Sequence, residues 1–201
     1  AALAIIVLSS GCVVVTRPIA LVKLVSGDLA LARQDLDVPL AAFRDAVTLD
    51  PHYAEGHYKL GLIYRQKGDL SLAADELQEA VKLEPTKVQP IVELAEVYRL
   101  LEKMTQAIRA YAMACDLAPQ NFDIHFRLAT CYHQAGDLEK AVDTYRAAIK
   151  LDPQSALARS NLGAALAAQG KDYDAIKAYK ASLECDGSQP IVLVNLATVY
   201  L

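Results

Sequence analysis

Apolar residues return along this chain at helical spacing, and the whole pattern returns every 34 residues. In residues 54–87, Leu60, Gly61 and Tyr64 follow His57 by three, four and seven places, which puts all four on one face of a helix. Ala73, Leu77 and Ala80 form a second such stripe. Both stripes recur as Ile91, Leu94, Ala95, Tyr98 with Ala107, Tyr111, Ala114, then as His125, Leu128, Ala129, Tyr132 with Ala141, Tyr145, Ala148. Arg159, Leu162, Gly163, Leu166 with Ala175, Tyr179, Ser182 close the series. Pro51, Pro85, Pro119 and Pro153 stand 34 residues apart, and the next step lands on Gly187. A strict period of this size predicts stacked repeats, each burying its apolar face against its neighbours.

With Ala54 as position 1, the pattern predicts units at 54–87, 88–121, 122–155 and 156–189, each a pair of helices. Gly or Ala at positions 8 and 20 lets the two backbones approach, and larger residues at 7, 11 and 24 fill the space beside them. Gly68, Gly136 and Gly170 share position 15, where a left-handed residue ends the first helix. Glu102 holds that place in the third unit, so a different turn is expected there. Asp69 and Asp137 follow as N-caps of the second helix. Each proline turns the preceding residue away from helix and so separates the units. Residues 16–53 read as a linker and a degenerate first repeat; Pro39 is admissible there because it falls in a helix's first turn. Residues 190–201 match only a first helix, with Ile191, Val192, Val194 and Val199 on its other faces. Terminal repeats need a polar outer face, so the native chain is expected to continue past Leu201.

These positions carry a resemblance to the tetratricopeptide repeat, a helix–turn–helix unit with small residues at positions 8, 20 and 27. The resemblance covers about residues 20 to 201. It implies an all-α fold, a right-handed α-solenoid of tandem units. In that family the stripe at positions 2, 5, 9, 12 and 13 of the first helix lines a concave surface that binds peptides or helices. The resemblance thereby points to Tyr58, Leu62, Arg65, Arg99, Phe126 and His133, with Lys59, Arg127, Asn161 and Asn195 added from position 6. Tyr58 and Phe126 are expected to be exposed aromatics, and Arg65 and Arg99 to reach a carboxylate. The alternative is an ordinary solvated face. Asparagine at position 6 also resembles the amide ladder of O-linked N-acetylglucosamine transferases, but position 9 lacks the companion Asn.

Composition adds exclusions. The net charge is −4 and no Lys/Arg block occurs, so nothing points to nucleic acid. Cys115, Cys131 and Cys185 occupy positions held by hydrophobes in other units, and are expected in the core. His57 and His125 share position 4, which favours packing over ligation. No histidine or cysteine spacing suits a metal, no glycine-rich phosphate loop occurs, and no nucleophile–base pair stands out. A non-enzymatic chain without cofactor is expected.

Ala1 to Val15 reads AALAIIVLSSGCVVV. The run resembles the end of a bacterial lipoprotein signal, which implies a lipidated Cys12 and an outer-membrane address facing the periplasm. The departure is Ser9, three places before the cysteine, where leucine is usual. A single transmembrane anchor is the competing reading, though about 20 residues are needed to span a bilayer.

Together these features favour a membrane-tethered adaptor of the bacterial envelope that presents a groove to a protein partner. Lipidated repeat proteins such as the pilotins of type IV pili have a similar layout. The other reading makes the repeats the substrate-recruiting arm of a larger enzyme, such as a glycosyltransferase, with its catalytic domain beyond residue 201.

Overall fold

The computed structural model describes residues 36–200, together with 19, 21–23 and 25. Every regular element from residue 36 onward is an α-helix: α1 (Asp37–Leu49), α2 (Ala54–Lys67), α3 (Leu70–Leu83), α4 (Val88–Leu100), α5 (Met104–Leu117), α6 (Phe122–Gln134), α7 (Leu138–Leu151), α8 (Ala156–Ala168), α9 (Asp172–Cys185) and α10 (Pro190–Tyr200). The chain divides into two compact units, one ending at Val97 and one starting at Tyr98.

The helices stop where local chemistry requires it. Asp50, Glu84, Ala118 and Asp152, each before a proline, have left the helical region, with φ between −136° and −129°. Their N–H groups still bond the carbonyl four residues back, at 2.9–3.0 Å. Pro39 is buried in the first turn of α1, where its missing N–H costs no helical bond.

Within each hairpin, Gly68, Gly136 and Gly170 have φ of +86°, +79° and +71°. Contrary to the expectation of a different turn, Glu102 makes the same one, with φ of +58°. The hydrogen bonds match as well: Glu102 N–H to Arg99 O and Lys103 N–H to Tyr98 O reproduce Gly68 N–H to Arg65 O and Asp69 N–H to Tyr64 O. The same turn hydrogen bonds therefore form here, and Glu102 accepts a backbone region that favours glycine.

Caps follow the sequence only in part. Asp137 accepts the N–H of Lys140 at 3.3 Å, but the Asp69 side chain caps nothing. Asn121 and Ser155 do cap, taking the N–H groups of Ile124 and Ala158.

In the first unit α2 packs between α1 and α3. Gly61 lies so close to α3 that a Cβ would come within 2.7 Å of Leu77. In the second unit successive helices pack pairwise from α5 to α10, and α6, α8 and α10 also touch in turn, forming a layer of first helices. Gly163 there meets the Tyr179 ring as Gly61 meets Leu77. Alanines at positions 20 and 27 are sealed, and Tyr111, Tyr145 and Tyr179 fill position 24. Two further buried rows, at positions 3 and 10, do not stand out in the two stripes: Gly56, Pro90, Ile124, Ala158 and Val192, and Ile63, Val97, Cys131 and Ala165. On α10 only Val192 of the described residues is buried, while Ile191 and Val194 are 76% and 64% exposed.

Candidate functional site

The first helices bear all the residues singled out for partner binding, and the structure groups them unevenly. In the first unit Lys59, Leu62 and Arg65 of α2 line one open cavity of about 370 Å³, together with Ile63, Gln66 and Glu93. Their spacing along α2 brings them to one side of the helix, and Glu93 arrives from α4. Arg65 and Glu93 form an ion pair across the gap, with 35% and 25% of their side chains exposed. The periodicity alone does not single out Glu93. Its signal is a shared place with Lys59, position 6, and a charge opposite to that of Arg65.

Around this cavity charges alternate. Glu55 lies 3.9 Å from Lys59 and 3.7 Å from Lys87, and Lys87 also pairs with Glu84 at 2.6 Å. Tyr58 is half-buried, not exposed as expected. Burial, then the nearby Glu93 and Glu55 carboxylates, push its phenol above the usual tyrosine range.

In the second unit Phe126 is likewise half-buried. It stacks on Phe122 at 5.8 Å between ring centres and leans on Tyr145 at 5.9 Å. His133 meets the same Tyr145 ring edge-on at 6.3 Å, and burial holds its imidazole below the usual histidine value. Arg99 is half-buried near the end of α4, and Arg127 is exposed on α6.

Asn161 and Asn195 meet at a second cavity of about 290 Å³, which Leu157, Ala164, Ile191 and Val192 also line. Each amide also lies near a tyrosine of the preceding hairpin: burial raises the Tyr145 and Tyr179 phenols, and Asn161 and Asn195 respectively oppose that rise. The Tyr145 hydroxyl donates to Thr130 Oγ1 at 3.2 Å as well.

Position 4 departs from simple packing. His57 and His125 are half-buried, and each Nε2 lies 3.1 Å from the carbonyl of the proline six residues earlier, Pro51 and Pro119. Arg159 repeats the contact, donating from Nη2 to Pro153 O at 2.7 Å.

Cys115 and Cys131 are buried and Cys185 is partly so, all as free thiols. Burial pushes the Cys115 thiol up to about 11. Among the described residues no group of three or more His, Cys, Asp or Glu could hold a metal ion, and no helix is long and apolar enough to cross a membrane. Cys12 and the lipoprotein-like run around it lie outside the described residues.

Comparison with known proteins agrees with this architecture. One TPR repeat model matches residues 130–170, and two tetratricopeptide repeat models match 24–87 and 110–143. The chain belongs to the tetratricopeptide repeat family. Among solved structures, a MamA protein is 25% identical with a TM-score of 0.79, covering 84% of this chain and 92% of its own. YrrB, described as a TPR protein with an unusual peptide-binding site, is 21% identical with a TM-score of 0.81 over 90% of this chain and 92% of that one. MamA from Desulfovibrio magneticus RS-1 is 19% identical, with a TM-score of 0.76 over 85% and 97%. At those last two identities the likeness concerns the fold. No protein of curated function matches the chain by sequence. A tetratricopeptide array of this kind is built as a protein-interaction scaffold.

Proposed function

We propose that this chain is a non-enzymatic adaptor that receives a peptide or helix of a protein partner on the exposed side of its first helices. One observation supports this reading above the others. In the first unit Lys59, Leu62 and Arg65 converge on a single open cavity with an apolar floor and charged walls. Such a surface takes an apolar side chain and orients it with a charged or backbone group beside it. Arg65 is held by Glu93, so a ligand carboxylate entering here competes for a guanidinium already positioned. YrrB is described as binding a peptide on the same fold.

Site-specific photo-crosslinking tests the surface. A photoreactive residue at Leu62 is expected to capture a partner peptide, one at exposed Asp143 on α7 is not, and Arg65→Ala is expected to reduce capture at Leu62. Equal capture at both positions, or capture unchanged by Arg65→Ala, would count against this cavity.

We further propose that Cys12 tethers the adaptor, through acyl chains, to the bacterial envelope. The support is the run of small and apolar residues before it. Metabolic labelling with a fatty-acid analogue is expected to mark the wild type and not Cys12→Ala, and the variant is expected to leave the membrane fraction. A variant that stays membrane-bound would point instead to a spanning anchor.

A further inference from the structure

The position-4 contact differs among its three occurrences in one respect. His57 alone has a second anchor: its Nδ1 lies 2.7 Å from Oε2 of Glu76 on α3, while Nε2 faces Pro51 O. A carbonyl and a carboxylate can only accept. Neutral imidazole has one N–H and serves one of them; imidazolium has two and serves both. The ring is 12% exposed and the Glu76 side chain 25%, so water replaces a lost bond poorly.

The charged surroundings favour the protonated ring. Glu76 and Glu79, both on α3, are the carboxylates that act on it, and the Glu76 bond is the main reason its affinity for a proton exceeds the ordinary histidine value. Other titratable groups nearby are engaged elsewhere. In the turn, Asp50 accepts the N–H of His52. On α1, Asp37 pairs with Lys67, Arg44 donates to Tyr64 and Asp45 pairs with Lys23. On α2 itself, Glu55 faces Lys59 and Lys87.

We propose that His57 is a pH-operated clasp, which ties the proline turn, α2 and α3 together when protonated and releases one of them on losing its proton. Arg159 is the permanently charged counterpart at the same repeat position, and His125 is the counterpart without a carboxylate. The sign follows from the direction of the shift. A histidine whose folded affinity for the proton is raised contributes its full stability below the unfolded value of about 6.5, and loses it as pH climbs through the folded value. The clasp is therefore closed in mild acid and opens toward alkaline pH. It does not depend on any partner.

Imidazole nitrogen NMR and amide exchange on the full chain test this. His57 is expected to titrate above the ordinary histidine range, and Glu76→Gln to lower its midpoint by about one pH unit. The amides of Tyr53, Gly56 and His57, which bond to Asp50 O and Tyr53 O, are expected to lose protection as pH rises through that midpoint, beyond the intrinsic base-catalysed rate. His57→Arg is expected to keep them protected over the same range. A midpoint unmoved in Glu76→Gln would overturn the proposal, as would protection in His57→Arg that falls in step with the wild type. Should the arginine variant fail to fold, the midpoint in Glu76→Gln still decides.

Discussion

At position 15 the backbone must take a positive φ, and three glycines and one glutamate meet that demand. A residue with a Cβ pays about 1 kcal/mol or more there. Replacing Glu102 with Gly is accordingly expected to raise stability by about 1 kcal/mol, and Gly136→Ala to lower it by a similar amount. Urea denaturation of the two variants beside the wild type measures both, and a destabilised Glu102→Gly would show that its side chain contributes more than its backbone costs. The sequence marks the position correctly but cannot say which wins at residue 102, local preference or helix packing. The structure shows that the shared turn wins over the preference of the residue. Tyr58 and Phe126 show a similar limit. Helical spacing places them on the outward stripe, yet both are half-buried, Phe126 by stacking on Phe122 of its own helix and leaning on Tyr145 of the next.

Among elements, the hairpin is the part most legible in the sequence. Proline and glycine positions lie at the turns, and the alanines at positions 20 and 27 are buried where the two stripes say they are. Caps are harder to read, because an Asp in the right place bonds only if its side chain turns back toward the helix. Asp137 does so and Asp69 does not. Asp137→Ala is therefore expected to cost about 1 kcal/mol, with Asn121→Ala and Ser155→Ala similar and Asp69→Ala clearly less. Thermal melts of the four variants check the ranking; equal losses at Asp69 and Asp137 would contradict it. At position 10 the hydrophobes of other units already place Cys131 in the core, whereas the buried row at position 3 escapes sequence reading because it falls outside both stripes.

For the molecule as a whole, the family and the all-α class follow from spacing, whereas the proposed binding surface is only half visible. Lys59, Leu62 and Arg65 share a cavity, but Glu93, which holds Arg65, becomes a candidate only once α4 is in place. Asn161 and Asn195 come together at one pocket although they stand in different repeats, a meeting no single-repeat pattern reveals. At this scale the expected outcome is that Arg65→Ala combined with Arg99→Ala weakens partner binding several-fold while the far-ultraviolet circular dichroism stays unchanged. Binding equal to wild type, measured by titration calorimetry with the captured partner, would reject both arginines. The buried tyrosines have a practical consequence. The chain contains ten tyrosines and no tryptophan, so its ultraviolet emission arises from phenols alone. With Tyr111, Tyr145 and Tyr179 sealed at one equivalent place in three consecutive hairpins, replacing one of the three by phenylalanine removes that phenol alone, and its difference from the wild-type emission follows the melting of that repeat without any attached dye.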